Sequence, residues 1–256
     1  MTAAAQAYDR HVGRYGSQLA AALIDAAGVE RGQRALDVGC GPGALTTALA
    51  EAIGAENVAA VDPSEPFVEA CRERVPGADV RVASGEHLPF ADGSFDAVVA
   101  QLVIQLMGDS DAGVREMARV TRAGGVLAAC VWDSGNMPLL RSFWDAALDA
   151  APERAGAIDD GRRVGYDSPS ELGALFEACG LTDVATGELL VGADYADFDE
   201  LWEPFSAGIG HSGGCFTSLE PGRRIAVRSD VHRRLGSPEG PFRLTARAWW
   251  ARGIVG

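Results

Sequence analysis

The feature that most constrains the fold is one run near the N-terminal third of the chain, Leu36-Asp37-Val38-Gly39-Cys40-Gly41-Pro42-Gly43. A short apolar stretch comes first, a glycine-rich loop follows, and the amphipathic segment Ala44–Ile53 comes directly after it. This order is typical of the first strand, turn and helix of an α/β sheet. Glycine has no Cβ, so the loop can turn tightly and approach a bound molecule closely. The run therefore predicts a fold class and the position of a ligand.

Short apolar runs and amphipathic stretches continue to alternate as far as Trp132. This alternation is typical of βαβ units, which build a parallel sheet. We predict strands at Ala35–Val38, Val58–Val61, Val80–Ala83, Phe95–Ala100 and Gly125–Trp132. We predict helices at Ala44–Ile53, Pro66–Val75 and Ala112–Val120. Right-handed crossovers then place helices on both faces of the sheet.

Outside this core the repeating pattern breaks. A polar and aromatic segment, Tyr8–Tyr15, precedes a helix predicted at Gln18–Ala27. Beyond Trp132 we predict two helices and then two strands, at Pro138–Ala150, Ser168–Cys179, Thr186–Val191 and Phe242–Trp250. The residues between the last two strands, 194–240, are rich in glycine and aromatic side chains, and we call them the late insertion.

We expect a single domain over residues 1–256. Within it, we expect residues 1–30 to form an N-terminal flap and helix, and residues 31–136 to form a ligand-binding core. Residues 137–164 and 194–240 would be two cover segments over the binding edge of the sheet. Residues 165–193 and 241–256 would complete the core. The late insertion would interrupt an antiparallel strand pair and, with the helix at Pro138–Ala150, cover the site.

Composition excludes several classes of function. The net charge is −14, from 36 acidic and 22 basic residues, so we expect no nucleic-acid partner, since a phosphate backbone needs a basic surface. No apolar run approaches the roughly 18 residues of a membrane span, and no basic and then apolar leader is apparent, so we expect a cytoplasmic protein without a membrane partner. The five cysteines have no metal-ligand spacing, so we expect no metal site.

The carboxylate of Asp37 distinguishes between two ligand classes. Gly39, Gly41 and Ala44 also satisfy the dinucleotide pattern G-x-G-x-x-G/A, which keeps an NAD-binding protein open as an alternative. Asp37, however, lies at the end of the first predicted strand, where a dinucleotide site must accept an anionic pyrophosphate. A carboxylate there repels pyrophosphate and attracts the ammonium and sulfonium of S-adenosylmethionine. Charge favours the second ligand.

A second acidic residue, Asp62, ends the second predicted strand, 19 residues beyond Gly43. At that position an acidic side chain can accept hydrogen bonds from both ribose hydroxyls of a nucleoside. Asp62 could instead cap the next helix, although Ser64 can serve as the cap in its place. After the third predicted strand, the loop Ser84–Phe90 offers backbone amides to an adenine edge.

Four ordered motifs together resemble the class I S-adenosylmethionine-dependent methyltransferases, and among these the type 11 group, which includes relatives of the quinone C-methyltransferases. They are Ala35–Thr46, Val61–Ser64, Ser84–Asp96 and Arg119–Gly125, and the resemblance covers about Tyr8 to Trp132. It implies S-adenosylmethionine as the cofactor. It also implies a Rossmann-like, doubly wound α/β fold with a mostly parallel seven-stranded sheet and an antiparallel last strand.

The resemblance also implies a role for individual residues. The methionine end of the cofactor would lie against Asp37 and the loop that contains Gly39, Cys40, Gly41 and Gly43. Asp62 would bind the ribose, Pro63 would lie on one face of the adenine, and the adenine edge would be lined by Ser84, Gly85 and Glu86. Gln101 would lie near the sulfonium. The N-terminal flap would include Tyr8, Arg14 and Tyr15, with Arg14 able to pair with the cofactor carboxylate. Many relatives have Asp where this chain has Ser84, so its hydrogen bond to adenine would be weaker.

The sequence says less about the methyl acceptor. Trp144, Trp202 and Phe205 lie in the cover segments, and we expect them to line a mostly apolar pocket for a small molecule. His211 and His11 are the candidates for a general base, and neither belongs to a diagnostic motif. The acceptor, the atom methylated and the choice between monomer and homodimer stay open. So does a non-catalytic binding or regulatory protein of the same fold.

Overall fold

The core of the molecule is one seven-stranded sheet. A computed structural model describes residues 11–158, 166 and 168–256, and within them the strand order is β3-β2-β1-β4-β5-β7-β6. The strands are β1 (Ala35–Val38), β2 (Val58–Asp62), β3 (Asp79–Val82), β4 (Phe95–Gln101), β5 (Thr121–Trp132), β6 (Thr182–Tyr195) and β7 (Phe242–Ile254).

The strand directions confirm the predicted sheet. β1 to β5 pair in parallel, and β7 pairs antiparallel with both β5 and β6. β1 lies between β2 and β4, so the chain winds outward in one direction as far as β3 and then in the other from β4. In such a sheet, a crevice forms at the carboxyl ends of the strands where the winding reverses. The end of β1 lies at this point.

Helices cover both faces of the sheet. They are α1 (Gly16–Ala27), α2 (Ala44–Ile53), α3 (Glu65–Arg74), α4 (Ser110–Val120), α5 (Pro138–Ala150), α6 (Pro152–Ile158), α7 (Pro169–Ala178), α8 (Phe198–Ser206), α9 (Gly210–Thr217) and α10 (Pro221–Arg234). On one face α1, α2, α5 and the helices of the late insertion share an apolar core with the sheet, and on the other α4 and α7 do so. None of the described helices combines the length and the apolar composition needed to cross a bilayer.

The observed bounds of the early strands and helices agree closely with the predicted ones, but those of the last two strands do not. β1, α2 and α5 have the predicted bounds, whereas β6 extends to Thr182 and Tyr195 and β7 extends to Ile254. β6 and β7 pair over almost their whole length, from Thr182 with Ile254 to Tyr195 with Phe242. Backbone hydrogen bonds therefore continue the strands into polar stretches that the apolar pattern alone excluded.

The late insertion is mostly helical, although its glycine-rich composition did not indicate this along most of its length. It contains α8, α9 and α10. The signal for α8 was present, because Asp197 begins the helix and its side chain accepts a hydrogen bond from the Glu200 N–H at 2.8 Å. Phe198, Leu201, Trp202 and Phe205 then recur at helical spacing and are buried. α10 packs against α5, so the late insertion and the first cover segment are in contact.

Candidate functional site

A cleft opens where β1 and β4 end. It holds a small cavity of about 30 Å³. Its walls come from the glycine loop, the first turn of α2, the end of β4 and the first residue of α1: Gly16, Asp37, Gly39, Cys40, Gly41, Pro42, Ala44, Leu45, Gln101 and Leu102. The sequence reading identified Asp37, the loop and Gln101, and missed Gly16, Leu45 and Leu102, which carry no chemical signal of their own.

The glycine loop closes tightly over the ends of the strands. Gly39 and Cys40 donate backbone hydrogen bonds to the Val61 carbonyl at 2.8 and 2.9 Å. The φ angle of Gly39 is +75°, and a Cβ on Gly39 would lie 2.4 Å from a methyl carbon of Val103. Position 39 therefore admits only glycine without rearrangement, because both the backbone conformation and the space exclude a side chain.

Asp37 is the buried carboxylate of the cleft. Its side chain is 0% exposed, and one oxygen, Oδ2, accepts a hydrogen bond from the Thr46 hydroxyl at 2.6 Å. The other oxygen, Oδ1, is buried and has no hydrogen-bond partner among the described residues. Burial raises the pKa of Asp37 to about 8, and the hydrogen bond from Thr46 acts against that rise. An acceptor oxygen without a donor is costly, so a ligand that supplies one is favoured here.

Asp62 anchors the loop to the start of α3. Its Oδ2 accepts from the Gly41 N–H at 2.9 Å, and its Oδ1 accepts from the Ser64 N–H at 2.8 Å. Ser64, not Asp62, occupies the N-cap position of α3, although its hydroxyl makes no capping bond. Burial raises the pKa of Asp62, while the two N–H groups lower it. Pro63 follows on the exposed side.

The loop after β3 lies beside the loop after β4. Ser84, Gly85 and Glu86 are partly exposed, and Glu86 accepts a hydrogen bond from the Gly108 N–H at 2.9 Å. A Cβ on Gly85 would lie 2.4 Å from the Met107 methyl carbon. An added side chain at position 85 would therefore require the flexible Met107 side chain to shift.

Gln101 and Leu102 form the wall of the cleft opposite the glycine loop. The Gln101 Nε2 donates to the Gly16 carbonyl at 3.2 Å, and its buried Oε1 has no partner among the described residues. Leu102 has a φ angle of +63°, a conformation that costs a non-glycine residue roughly 1 to 2 kcal/mol. The Leu102 N–H donates to the Cys130 carbonyl at 2.9 Å, which holds this turn against β5.

The predicted flap is only partly described. Tyr8 lies outside the described residues. Arg14 pairs with Glu200 of α8 and donates to the Asp194 carbonyl at 3.0 Å, so it engages the late insertion. Tyr15 is fully buried, with its ring edge-on to Trp132 at 5.7 Å. Contacts of these residues with a cofactor stay predictions.

The two candidate bases occupy different environments. His11 is buried, its ring lies edge-on to Phe205 at 4.9 Å, and its Nε2 is 3.5 Å from the Ser212 hydroxyl. Burial lowers the pKa of His11 to about 4, so its imidazole is neutral at physiological pH. His211 is exposed in the first turn of α9. Neither residue lines the cleft.

The three aromatic residues predicted to line an acceptor pocket are buried in an aromatic cluster. Phe205 stacks on Trp202 at 5.2 Å and on Phe143 at 4.9 Å, and the Phe143 ring is edge-on to Trp144 at 5.2 Å. None of the three residues lines the cleft at the end of β1. A second, open groove lies on the late insertion between Asp197 and Glu239, and its lining includes Phe198 from this cluster. A role in acceptor binding stays a prediction.

Comparison with known proteins assigns the region that contains the cleft to a protein family. Residues 36–129 match the family model described as a methyltransferase domain. The chain is 35% identical over 143 residues to a malonyl-[acyl-carrier protein] O-methyltransferase of Pseudescherichia vulneris, with 56% of each chain covered. It is 32% identical over 164 residues to a demethylmenaquinone methyltransferase of Roseiflexus castenholzii, covering 59% of this chain and 68% of that one.

A solved structure of a geranyl diphosphate methyltransferase in complex with SAM superposes with a TM-score of 0.56 at 18% identity, over 95% of this chain and 87% of that one. At that identity the likeness shows the fold alone. The alignments span about half the length of several of the curated relatives that the chain matches. The matched strand, glycine loop and sheet edge are those that build the cleft. The chain belongs to the methyltransferase-domain family.

Proposed function

We propose that this chain is a methyltransferase that uses S-adenosylmethionine and acts on a small-molecule acceptor. The observation that carries the proposal is the pair of buried acceptor oxygens in the cleft, Asp37 Oδ1 and Gln101 Oε1, that lack a donor among the described residues. Both call for a ligand rich in N–H or O–H donors. Burial raises the pKa of Asp37 to about 8, and a cationic group bound at Oδ1 would lower that pKa and be stabilised by the ionised carboxylate.

The charge of the cleft argues against a dinucleotide. Its described lining contains the carboxylate of Asp37 and no arginine, and the chain contains no lysine. The carboxylate of Asp62 binds the Gly41 N–H directly behind the loop. A pyrophosphate would therefore meet no basic side chain in the described lining, would be repelled by Asp37 whenever Asp37 is ionised, and would compete for the Gly41 N–H, which is already used. An ammonium and a sulfonium meet a matching charge.

The residues of the cleft have separable roles in this proposal. Asp37 accepts from the ammonium, the glycine loop gives close backbone approach, and Gln101 lies on the opposite wall. Asp62 keeps lone pairs free for ribose hydroxyls, because each carboxylate oxygen accepts more than one hydrogen bond. In this proposal the adenine lies against Pro63 and the residues Ser84, Gly85 and Glu86.

Catalysis in this proposal is mainly positioning. S-adenosylmethionine supplies, when bound, a methyl group activated by a sulfonium leaving group. The cleft holds one reactant in a fixed orientation, which in favourable cases lowers a barrier by about 7 to 11 kcal/mol. The names of the relatives, which include a demethylmenaquinone methyltransferase, support an acceptor of small-molecule type. The cytoplasmic location and the oligomeric state stay predictions.

Calorimetry tests the cofactor assignment. We expect the purified protein to bind S-adenosylhomocysteine and to show no heat of binding with NAD(H) or NADP(H) at the same concentrations. Asp62→Ala should weaken the binding of S-adenosylhomocysteine by about 1.5 to 3 kcal/mol, the range for a hydrogen bond to a charged group. NAD binding without S-adenosylhomocysteine binding would overturn the proposal. Mass spectrometry of small molecules incubated with enzyme and S-adenosylmethionine should show a product heavier by one methyl group.

A further inference from the structure

The carboxylate of Asp37 is hydrogen-bonded to a second buried side chain, that of Thr46. Thr46 lies in the first turn of α2, is 0% exposed, and donates its hydroxyl hydrogen to Asp37 Oδ2 at 2.6 Å. The Thr46 backbone N–H also faces the carboxylate. With one oxygen bound in this way, the rotation of the carboxylate is restricted, and Oδ1 is the oxygen left for a ligand.

A second contact of Thr46 determines the direction in which its hydroxyl hydrogen points. On the far side, the Cys71 thiol of α3 lies 3.4 Å from the Thr46 oxygen and donates to it. A hydroxyl has one hydrogen to donate, so an oxygen that accepts from Cys71 directs that hydrogen to Asp37. Cys71, Thr46 and Asp37 therefore form a chain of donors that ends on the carboxylate.

No positive group of the described residues performs the same task. The other titratable groups that act on Asp37 are Cys71 of α3 and Asp62 of β2, and Cys40 of the loop is affected by Asp37 in turn. Each of these is neutral or negative. The Thr46 hydroxyl and N–H are thus the groups that favour the ionised form of Asp37, against the burial that disfavours it.

We propose that Thr46 is a positioning residue for cofactor binding: its hydroxyl holds Oδ2 of the Asp37 carboxylate and directs the free oxygen, Oδ1, into the cleft. The inference rests on the proposed function, because the ligand at Asp37 is taken to be the ammonium of the cofactor. It adds a residue that touches no ligand. It also predicts a dependence on pH, since the loss of a donor to the ionised form matters most where Asp37 is partly protonated.

The test compares two substitutions at one position. Thr46→Val keeps the shape and removes the donor, whereas Thr46→Ser keeps the donor. We expect Thr46→Val to weaken S-adenosylhomocysteine binding about 10- to 100-fold at pH 7, as for a lost hydrogen bond to a charged group, with a smaller deficit at pH 9.5. Thr46→Ser should stay within about threefold of wild type at every pH. Thr121→Val is the matched control, since the buried Thr121 hydroxyl donates to the Met117 carbonyl at 2.8 Å, away from the cleft.

A readout without ligand separates this inference from the proposed function. The carboxyl carbon resonance of Asp37, followed by NMR in the ligand-free protein, should titrate at higher pH in Thr46→Val than in wild type. If wild type fails to bind S-adenosylhomocysteine but this shift is seen, the proposed function fails and the control of Asp37 by Thr46 stands. An unchanged titration, or equal losses of affinity in Thr46→Val and Thr46→Ser at every pH, would overturn the inference. Should Thr46→Val not fold, Thr46→Ala, which also removes the donor, replaces it, with a shift expected in the same direction.

Discussion

At the scale of single residues, the cleft depends on backbone conformations that most side chains do not permit. Gly39 and Leu102 both line the cleft and have positive φ angles, and Val103, next to Leu102, fills the space that a Cβ on Gly39 would need. The strain at Leu102 is local, because its N–H is bound to the Cys130 carbonyl. Two turns at the ends of β1 and β4 thus fit closely together, and the width of the cleft depends on that contact.

Gly39→Ala tests this contact, with Gly32→Ala as a control of equal backbone strain. Gly32 has a φ angle of +90° and no atom within 4 Å of an added Cβ. Both variants should lose about 1 to 2 kcal/mol of unfolding free energy from the left-handed conformation, measured in urea, and Gly39→Ala should lose more, because its Cβ meets Val103. Gly39→Ala alone should also lose S-adenosylhomocysteine binding by calorimetry. Equal affinity in the two variants would show that the contact with Val103 does not shape the site.

At the scale of elements, the late insertion extends the apolar core on one face of the sheet. Trp202 of α8 stacks on Phe205 and lies edge-on to Phe216 of α9 at 4.9 Å. α10 packs on α5, and Arg14 before α1 pairs with Glu200 of α8. The insertion is therefore tied to the N-terminal segment that leads to Gly16 in the cleft wall. Loops and insertions on a rigid sheet commonly determine substrate choice, and for this chain that remains a prediction.

Trp202→Ala should separate a structural role from a cofactor role. The side chain is buried, so its removal should cost about 3 to 5 kcal/mol of unfolding free energy. S-adenosylhomocysteine affinity of the folded variant should stay within about threefold, or roughly 0.7 kcal/mol. Ile225→Ala on α10, where the side chain is 70% exposed, is the control and should change neither quantity. A stable Trp202→Ala variant that loses S-adenosylhomocysteine would place Trp202 in the cofactor site.

At the scale of the whole molecule, the buried His11 links stability to pH. In the unfolded chain His11 takes up a proton near pH 6.5, and in the folded protein, where burial disfavours the charge, only near pH 4. Between these values the unfolded state binds more protons, so the contribution of His11 to stability is present above pH 6.5 and is lost as the pH falls toward 4. The difference corresponds to about 3 kcal/mol at most.

Urea denaturation between pH 4.5 and 7.5 measures this contribution. His11→Gln cannot take up the proton, so its unfolding free energy should fall less steeply with falling pH than that of wild type. Ile225→Ala, at an exposed position of α10, is the control and should keep the slope of the wild type. Parallel pH curves for wild type and His11→Gln would show that His11 is charged in the folded protein, and so contradict its burial as a neutral group.

Much of the core could be predicted because its signals are local. The bounds of β1 and α2 follow from apolar runs and glycines, and the sign of the ligand charge follows from Asp37 at a strand end. The full length of β6 and β7 could not be read in this way. Their polar ends are extended because they pair with each other, and pairing depends on a partner about 60 residues away.

The sequence by itself determined the sheet class, the place of the cleft and the residues that carry its charge, since strand periodicity and turn chemistry act over a few residues. Only the tertiary structure decided which groups surround those residues. It showed that Thr46 is hydrogen-bonded to Asp37 and contacted by Cys71. It also showed that Arg14 pairs with Glu200 and that Trp202 is buried in an aromatic cluster. Such contacts join distant segments, and their geometry depends on how helices pack on the sheet, which local patterns do not specify.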